Sequence, residues 1–322
     1  MKKTFFLIFF LFYISFAFGQ SNIQLDSLKR VLAKLPKEVR PFGGDTLRVK
    51  ILCEIGDEYG KQKNDSTLYY RKEALNTSIR TNYKKGKVKS YILLGNYYST
   101  QSIKGTENYF KALAIAEELN LIDEQIKLTA EIGSDYLSLS DFKESYFYFK
   151  KHSELCKKHG SDEDYALSIN NLGILFFDQK KYKEALKYFL ECETWSKKTG
   201  KPKLINAALI NVGKVYVELN IFDEALIRFK KALKIEDGYL DKTAFVHNEI
   251  ANIYLQKKEF NEALNNAKLA LENTNASNKT MLKNVSLTLS KVYEKLGIEK
   301  EALKHYKIFT DISLYQDSVK NG

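Results

Sequence analysis

The chain carries four histidines, His152, His159, His247 and His305, and three cysteines, Cys53, Cys156 and Cys192. Metal chemistry would need such residues at ligand spacing, and redox chemistry would need Cys-x-x-Cys. No two histidines are spaced as a metal pair, and no Cys-x-x-Cys occurs. Nucleophilic or phosphoryl chemistry would need a Gly-x-Ser-x-Gly turn or a glycine-rich phosphate loop, and neither is present. Neighbouring carboxylates such as Glu117 and Glu118 diverge on a helix, which makes them poor acid–base partners. The sequence therefore predicts no enzyme, no cofactor and no bound metal.

The elements that carry these residues repeat. An apolar anchor, a small residue beside it and an aromatic four positions after the anchor recur seven times. The anchors are Ile55, Leu94, Ile132, Leu172, Val212, Ile250 and Leu289, at intervals of 38 to 40 residues. The small residues are Gly56, Gly95, Gly133, Gly173, Gly213, Ala251 and Ser290. The aromatics are Tyr59, Tyr98, Tyr136, Phe176, Tyr216, Tyr254 and Tyr293. Anchor and aromatic share one helical face, and the small residue beside them admits a close partner helix. Glycine costs a helix about 1 kcal/mol relative to alanine. Its recurrence predicts that packing offsets the cost.

A second amphipathic stretch follows each first one. In repeats three to seven it opens with Ser145, Ala185, Ala225, Ala263 and Ala302. Its aromatic is Phe149, Phe189, Phe229 and Tyr306, with Ala267 in the sixth copy. Breakers separate the units: His159-Gly160-Ser161, Thr199-Gly200-Lys201-Pro202, Asp237-Gly238 and Asn275-Ala276-Ser277. Cys192 stands where sister copies have Ala232 and Ala270, which reads as a small core residue. A Cys156–Cys192 bridge is the alternative. His152 and His305 fall on second helices, as buried or surface residues.

This pattern resembles the tetratricopeptide repeat, a helix–turn–helix unit, across residues 46–313. The resemblance implies an all-α fold, a right-handed superhelical solenoid of about seven helix–turn–helix repeats. The period exceeds the family's basic length of about 34 residues. Repeat one is one residue short after Tyr59 and repeat two is two residues short after Tyr98, so stacking is expected to be distorted there. Residues 20–45 form an N-terminal capping helix, over 23–35, and a loop with Asp45 or Thr46 as the N-cap. Residues 314–322 form a tail.

In the family, first helices line a concave groove, with ligands meeting positions two and five either side of the anchor. Carried onto this chain, the resemblance implies a protein-binding groove of Lys89, Asn96, Lys127, Asn170, Ile174, Phe177, Lys214, Asn248, Asn252 and Lys291. Lysines and small polar groups fill the first three repeats. Leu167, Ile174, Phe177, Ile210 and Val217 make a middle apolar strip, unless they pack on neighbouring helices. A peptide with an apolar segment and an acidic end suits this pattern.

Residues 1–19 combine Lys2 and Lys3 with an apolar run from Phe5 to Phe18. Ala17 and Gly19 stand at −3 and −1 of a cut before Gln20, the pattern of a secretory signal peptide. The alternative is an uncleaved anchor, but the run is shorter than the ~20 residues of a spanning helix. Net charge is +11, or +9 without Lys2 and Lys3, and lysine alternates with glutamate and aspartate along the chain. That reads as solvated helix faces, not a nucleic-acid stripe. The expectation is an exported scaffold, periplasmic or secreted, with no membrane span after cleavage and no nucleic-acid partner. It would bind a protein or peptide. The alternatives are an orphan or truncated sensor module of a kinase or transcription-regulator system, as in envelope regulators that the chain resembles, and an exported enzyme with an unrecognised site.

Overall fold

The computed structural model describes residues 24–35, 44–62, 64–98, 103–235 and 240–321. Residues 1–19, read above as a signal peptide, residues 36–43, read above as a loop, and the Asp237-Gly238 link lie outside them. The chain is all-α, a repeat solenoid, and it divides into two units, Met1–Gly160 and Ser161–Gly322.

In the first unit, α1 (24–34) precedes three hairpins. These are α2 (Gly44–Lys61) with α3 (Ser66–Arg80), α4 (Lys84–Tyr98) with α5 (Lys104–Glu118), and α6 (Ile122–Ser138) with α7 (Phe142–His159). Leu25 of α1 is buried against Ile51 and Ile55, so α1 covers α2 as a cap should. The second unit has four hairpins: α8 (Asp162–Asp178) with α9 (Tyr182–Thr199), α10 (Pro202–Glu218) with α11 (Phe222–Leu233), α12 (Leu240–Gln256) with α13 (Phe260–Glu272), and α14 (Lys279–Lys295) with α15 (Glu299–Asn321). Two boundaries differ from expectation. Helix α2 starts at Gly44, ahead of the expected N-cap, and the expected tail continues α15 to Asn321.

The recurrent glycine has a specific partner. A Cβ built on Gly95, Gly133, Gly173 or Gly213 would lie 2.3 to 2.6 Å from the ring of Tyr109, Phe149, Phe189 or Phe229. Each ring comes from the second helix of the same hairpin and is buried. The glycine is the hole and the ring is the knob, so the lost helix propensity is returned as ring burial. Repeat two keeps this joint despite its shortened spacing after Tyr98. Helices α3 and α5 begin five residues before the joint residue, whereas α7, α9, α11, α13 and α15 begin seven before theirs. The missing residues come out of the first turn of the second helix.

The other joints differ. Arg71 takes the ring's place in repeat one, its Cγ 2.9 Å from a Cβ on Gly56. Ala251 faces Ala267 in repeat six, within one cluster with Ala270, Val285 and Leu289. In repeat seven Ser290 donates its hydroxyl to the Ala302 carbonyl at 2.9 Å. Tyr306, the aromatic at this repeat position, is 50% exposed.

A second contact binds four of the hairpins. The first-helix aromatic stacks on the residue preceding the joint: Tyr59 on Tyr70, Tyr136 on Tyr148, Phe176 on Tyr188 and Tyr293 on His305, with centroids 5.3 to 5.9 Å apart. The same aromatic closes the turn through its backbone. The N–H groups of Asp141, Lys181, Ile221, Glu259 and Ile298 donate to the carbonyls of Tyr136, Phe176, Tyr216, Tyr254 and Tyr293 at 2.8 to 2.9 Å. The residue before each donor is left-handed: Ser140, Lys180, Asn220, Lys258 and Gly297. This is the Schellman closure. Only Gly297 adopts it without a Cβ penalty. Between hairpins, Gly200 ends α9 at φ 64° and Pro202 opens α10 where its missing N–H is not needed. Ser161 and Asp164 form a reciprocal capping box on α8.

Candidate functional site

In the first unit, Lys89, Asn96 and Lys127 are exposed on the first helices α4 and α6. Asn96 accepts a 2.8 Å hydrogen bond from the Tyr109 hydroxyl, which ties it to the joint ring. Lys127 faces Glu131, whose carboxyl is pushed up by burial and held back by that lysine. Burial also pushes up Asp135, which accepts from the Thr106 hydroxyl at 2.8 Å. The α6 face is thus mixed in charge. The reading of lysines and small polar groups missed Glu131 and Asp135 because both lie off the positions carried over from the family.

In the second unit, Ile174, Phe177 and Lys214 come together. With Asp178, Phe189 and Asn211 they line a recess of about 70 Å³. The Lys214 ammonium sits 5.0 Å above the Phe177 ring. Asn170 accepts a 2.8 Å hydrogen bond from the Asn211 side-chain amide, bridging α8 to α10. Asn252 accepts from the Thr288 hydroxyl at 3.2 Å, bridging α12 to α14 in the same way. Asn248 is buried and its side-chain oxygen has no hydrogen-bond partner among the described residues. Glu249 is pushed up by burial, with Lys214 opposing the shift and Glu218 adding to it. Lys291 stands exposed on α14, apart from these contacts.

The apolar strip is less open than its composition suggests. Ile174 and Phe177 pack on the cluster of Phe189 and Val212, Ile210 is buried, and Val217 packs on the adjoining cluster. Leu167 is the exception at 43% exposure. It opens into a cavity of about 630 Å³ lined by Glu163, Lys201, Pro202, Lys203, Leu204 and Ala207. That volume is in the range of ligand sites, and Leu167, Pro202, Leu204 and Ala207 give it an apolar wall. Lys201 and Glu163 form an ion pair at its rim.

Sequence reasoning missed Asn211, Thr288 and Glu249. All three immediately precede an anchor, and they meet the preceding repeat's first helix. The signal was available: Asn211 and Thr288 are polar at a helix–helix seam, where a polar side chain needs a partner.

The cysteines are buried and free, so Cys156 and Cys192 are not bridged. Burial pushes the Cys53 thiol up to about 11 and raises Cys192 as well, the opposite of an activated nucleophile. His152 is buried with its Nδ1 2.9 Å from the Ile126 carbonyl, holding α7 to α6. No group of three metal-ligating side chains occurs among the described residues, and no helix among them is long and apolar enough to cross a membrane.

A tetratricopeptide repeat family model matches residues 166–192, the stretch from α8 through the Phe189 joint. No curated protein matches the chain in sequence. Its fold is similar to that of the quorum sensor NprR from B. thuringiensis, with a TM-score of 0.66 at 18% identity, over 91% of this chain and 81% of that one. It is also similar to aspartyl phosphate phosphatase F from Bacillus subtilis, with a TM-score of 0.62 at 13% identity, over 94% and 91%. A third likeness is to a signal transduction ATPase with a tetratricopeptide repeat sensor from Pyrococcus horikoshii, with a TM-score of 0.64 at 16% identity, over 79% of this chain and 41% of that one.

Proposed function

We propose that this tetratricopeptide-repeat chain is an exported, non-catalytic scaffold that holds a peptide or protein segment on the first-helix faces of its hairpins. The observation that carries the reading is the second unit's cavity of about 630 Å³ with Leu167 exposed in its wall. An exposed leucine in a concave apolar site is an anchor point for an apolar side chain. The Asn170–Asn211 and Asn252–Thr288 bridges present amides from neighbouring helices, groups suited to a peptide backbone. Glu249 and Glu218 around Lys214 favour a partner of mixed charge over a uniformly acidic one. The likeness to a quorum sensor and to a repeat sensor supports a regulatory setting by fold alone.

Affinity capture from a cell-envelope extract, with the purified chain as bait, tests the reading. Changing Asn170, Lys214 and Asn252 together, or Leu167→Asp alone, is expected to abolish capture of a specific partner. Capture that survives both variants would remove the site assignment. Export predicts a mature N-terminus at Gln20, read by N-terminal sequencing of the protein recovered from the envelope or medium; a retained leader would count against it.

A further inference from the structure

Among the described residues, helix α15 packs chiefly on α14. Its inner face meets α14 through the Ser290–Ala302 hydrogen bond, the Tyr293–His305 stack and a 2.7 Å bond from the Lys283 ammonium to Gln316. Its outer face carries Leu303 and Leu314, each 70% exposed, with Tyr306 at 50%. Leu303, Lys307, Thr310 and Leu314 follow at i, i+4, i+7 and i+11, which makes one stripe along the helix. Tyr306 flanks it, half exposed beside the Ser290–Ala302 contact. Single exposed apolar residues are ordinary on a protein surface, but two leucines and a tyrosine aligned on one fixed helix are an association face.

The charges nearest the middle of this face say what fits it. Lys304 and Lys307 precede its centre and Asp311 and Asp317 follow it, while Glu299, Lys300 and Glu301 mix both signs in the first turn. Lys304 is already paired with Glu301 at 3.1 Å. Two such helices packed antiparallel, and centred between Ile308 and Phe309, place Leu303 against the partner's Leu314. They place Lys307 beside the partner's Asp311. Two-fold symmetry makes each contact twice. A parallel pair would set lysine against lysine.

We propose that α15 is a self-association surface, pairing antiparallel with α15 of a second copy of this chain. The proposal is independent of the peptide-binding reading. One helix pair lies at the small end of stable interfaces, so the dimer is expected to form in the range of about 10 μM. Sedimentation velocity of the purified chain from about 1 to 200 μM should show monomer passing to dimer across that range. Leu303→Glu with Leu314→Glu should weaken the dimer at least tenfold while leaving the melting temperature unchanged, since both side chains are exposed in the monomer. Lys307→Asp should weaken it as well, and adding Asp311→Lys should restore it. A monomer at every concentration would overturn the proposal, as would a dimer indifferent to the double glutamate variant. Flotation of a monomeric chain with anionic phospholipid vesicles, lost in the double glutamate variant, would assign the face to a lipid surface instead and would equally overturn it.

Discussion

The joints of repeats two to five and those of repeats one, six and seven solve one packing problem differently. In the first set a glycine receives a buried ring. In the second, Gly56 receives Arg71, Ala251 receives Ala267, and Ser290 receives nothing while Tyr306 turns outward. The two sides of the joint match in volume: the largest knob goes with the absent Cβ, and any added atom on the first helix shrinks or expels the knob. The joint is thus a steric lock, and interiors packed this closely respond to single atoms.

The strongest way to break the comparison is Gly213→Leu. A Cβ alone would come within 2.6 Å of Phe229, so the ring or the helix must move. The expected loss is about 3 kcal/mol, read as a lower midpoint in urea denaturation. An unchanged midpoint would dismiss the lock. Next is Arg71→Ala. Arg71 is buried, donates to the Leu93 carbonyl at 2.7 Å and lies 3.5 Å from Asp57. Burial pulls its pKa down and Asp57 opposes that. Truncation removes a charged hydrogen bond and leaves a void, at about 2 kcal/mol. Arg71→Lys should recover only part, because the fork that spans both partners is lost.

Sharpening comes from converting one class into the other. Ala267→Phe alone overfills repeat six, at about 1–2 kcal/mol, and Ala251→Gly should relieve most of that in the double variant. A coupling energy near zero in the double-mutant cycle would mean that the two positions do not form a joint.

The smallest effect concerns His305, which replaces a tyrosine in the stacked pair of repeat seven. Burial, and then Lys304, hold its pKa below 6.5. Glu301 pulls the other way, and Tyr293 packs on the ring. The unfolded chain then binds the proton more readily than the folded one. Stability is fully present above pH 6.5 and falls as the pH drops below it, until the folded histidine also protonates. His305→Phe should flatten that part of the profile of melting temperature against pH. An unchanged slope between pH 7 and 5 would show that His305 does not contribute to it.

Much of the architecture was legible in the residues. Helix–turn–helix units, their number, the close approach at the glycines and the buried rings at 149, 189 and 229 follow from spacing, because a helix repeats its faces every 3.6 residues. The cap before the first hairpin was legible for the same reason. Tyr70, Tyr148, Tyr188 and His305 stand one position before their joints, but their stacking was not legible, because it depends on where the facing helix places its own ring. The site was less legible. Register alone placed Asn170 and Lys214, yet Asn211, Glu249 and Thr288, which contact or act on residues at the mapped positions, lie between those positions.

What the sequence determined by itself was periodic: the hairpin, the anchor and the small residue that lets helices close. What only the tertiary structure decided was the fate of atoms whose surroundings come from other helices. Tyr306 and Phe229 occupy equivalent positions in the repeat, and one is exposed beside Ser290 while the other is buried against Gly213. For Ile174 and Phe177 the sequence left groove and neighbouring-helix packing both open, and they are half core, while Leu167 opens into a cavity. Periodicity is a property of one helix, whereas exposure is a property of the helices around it.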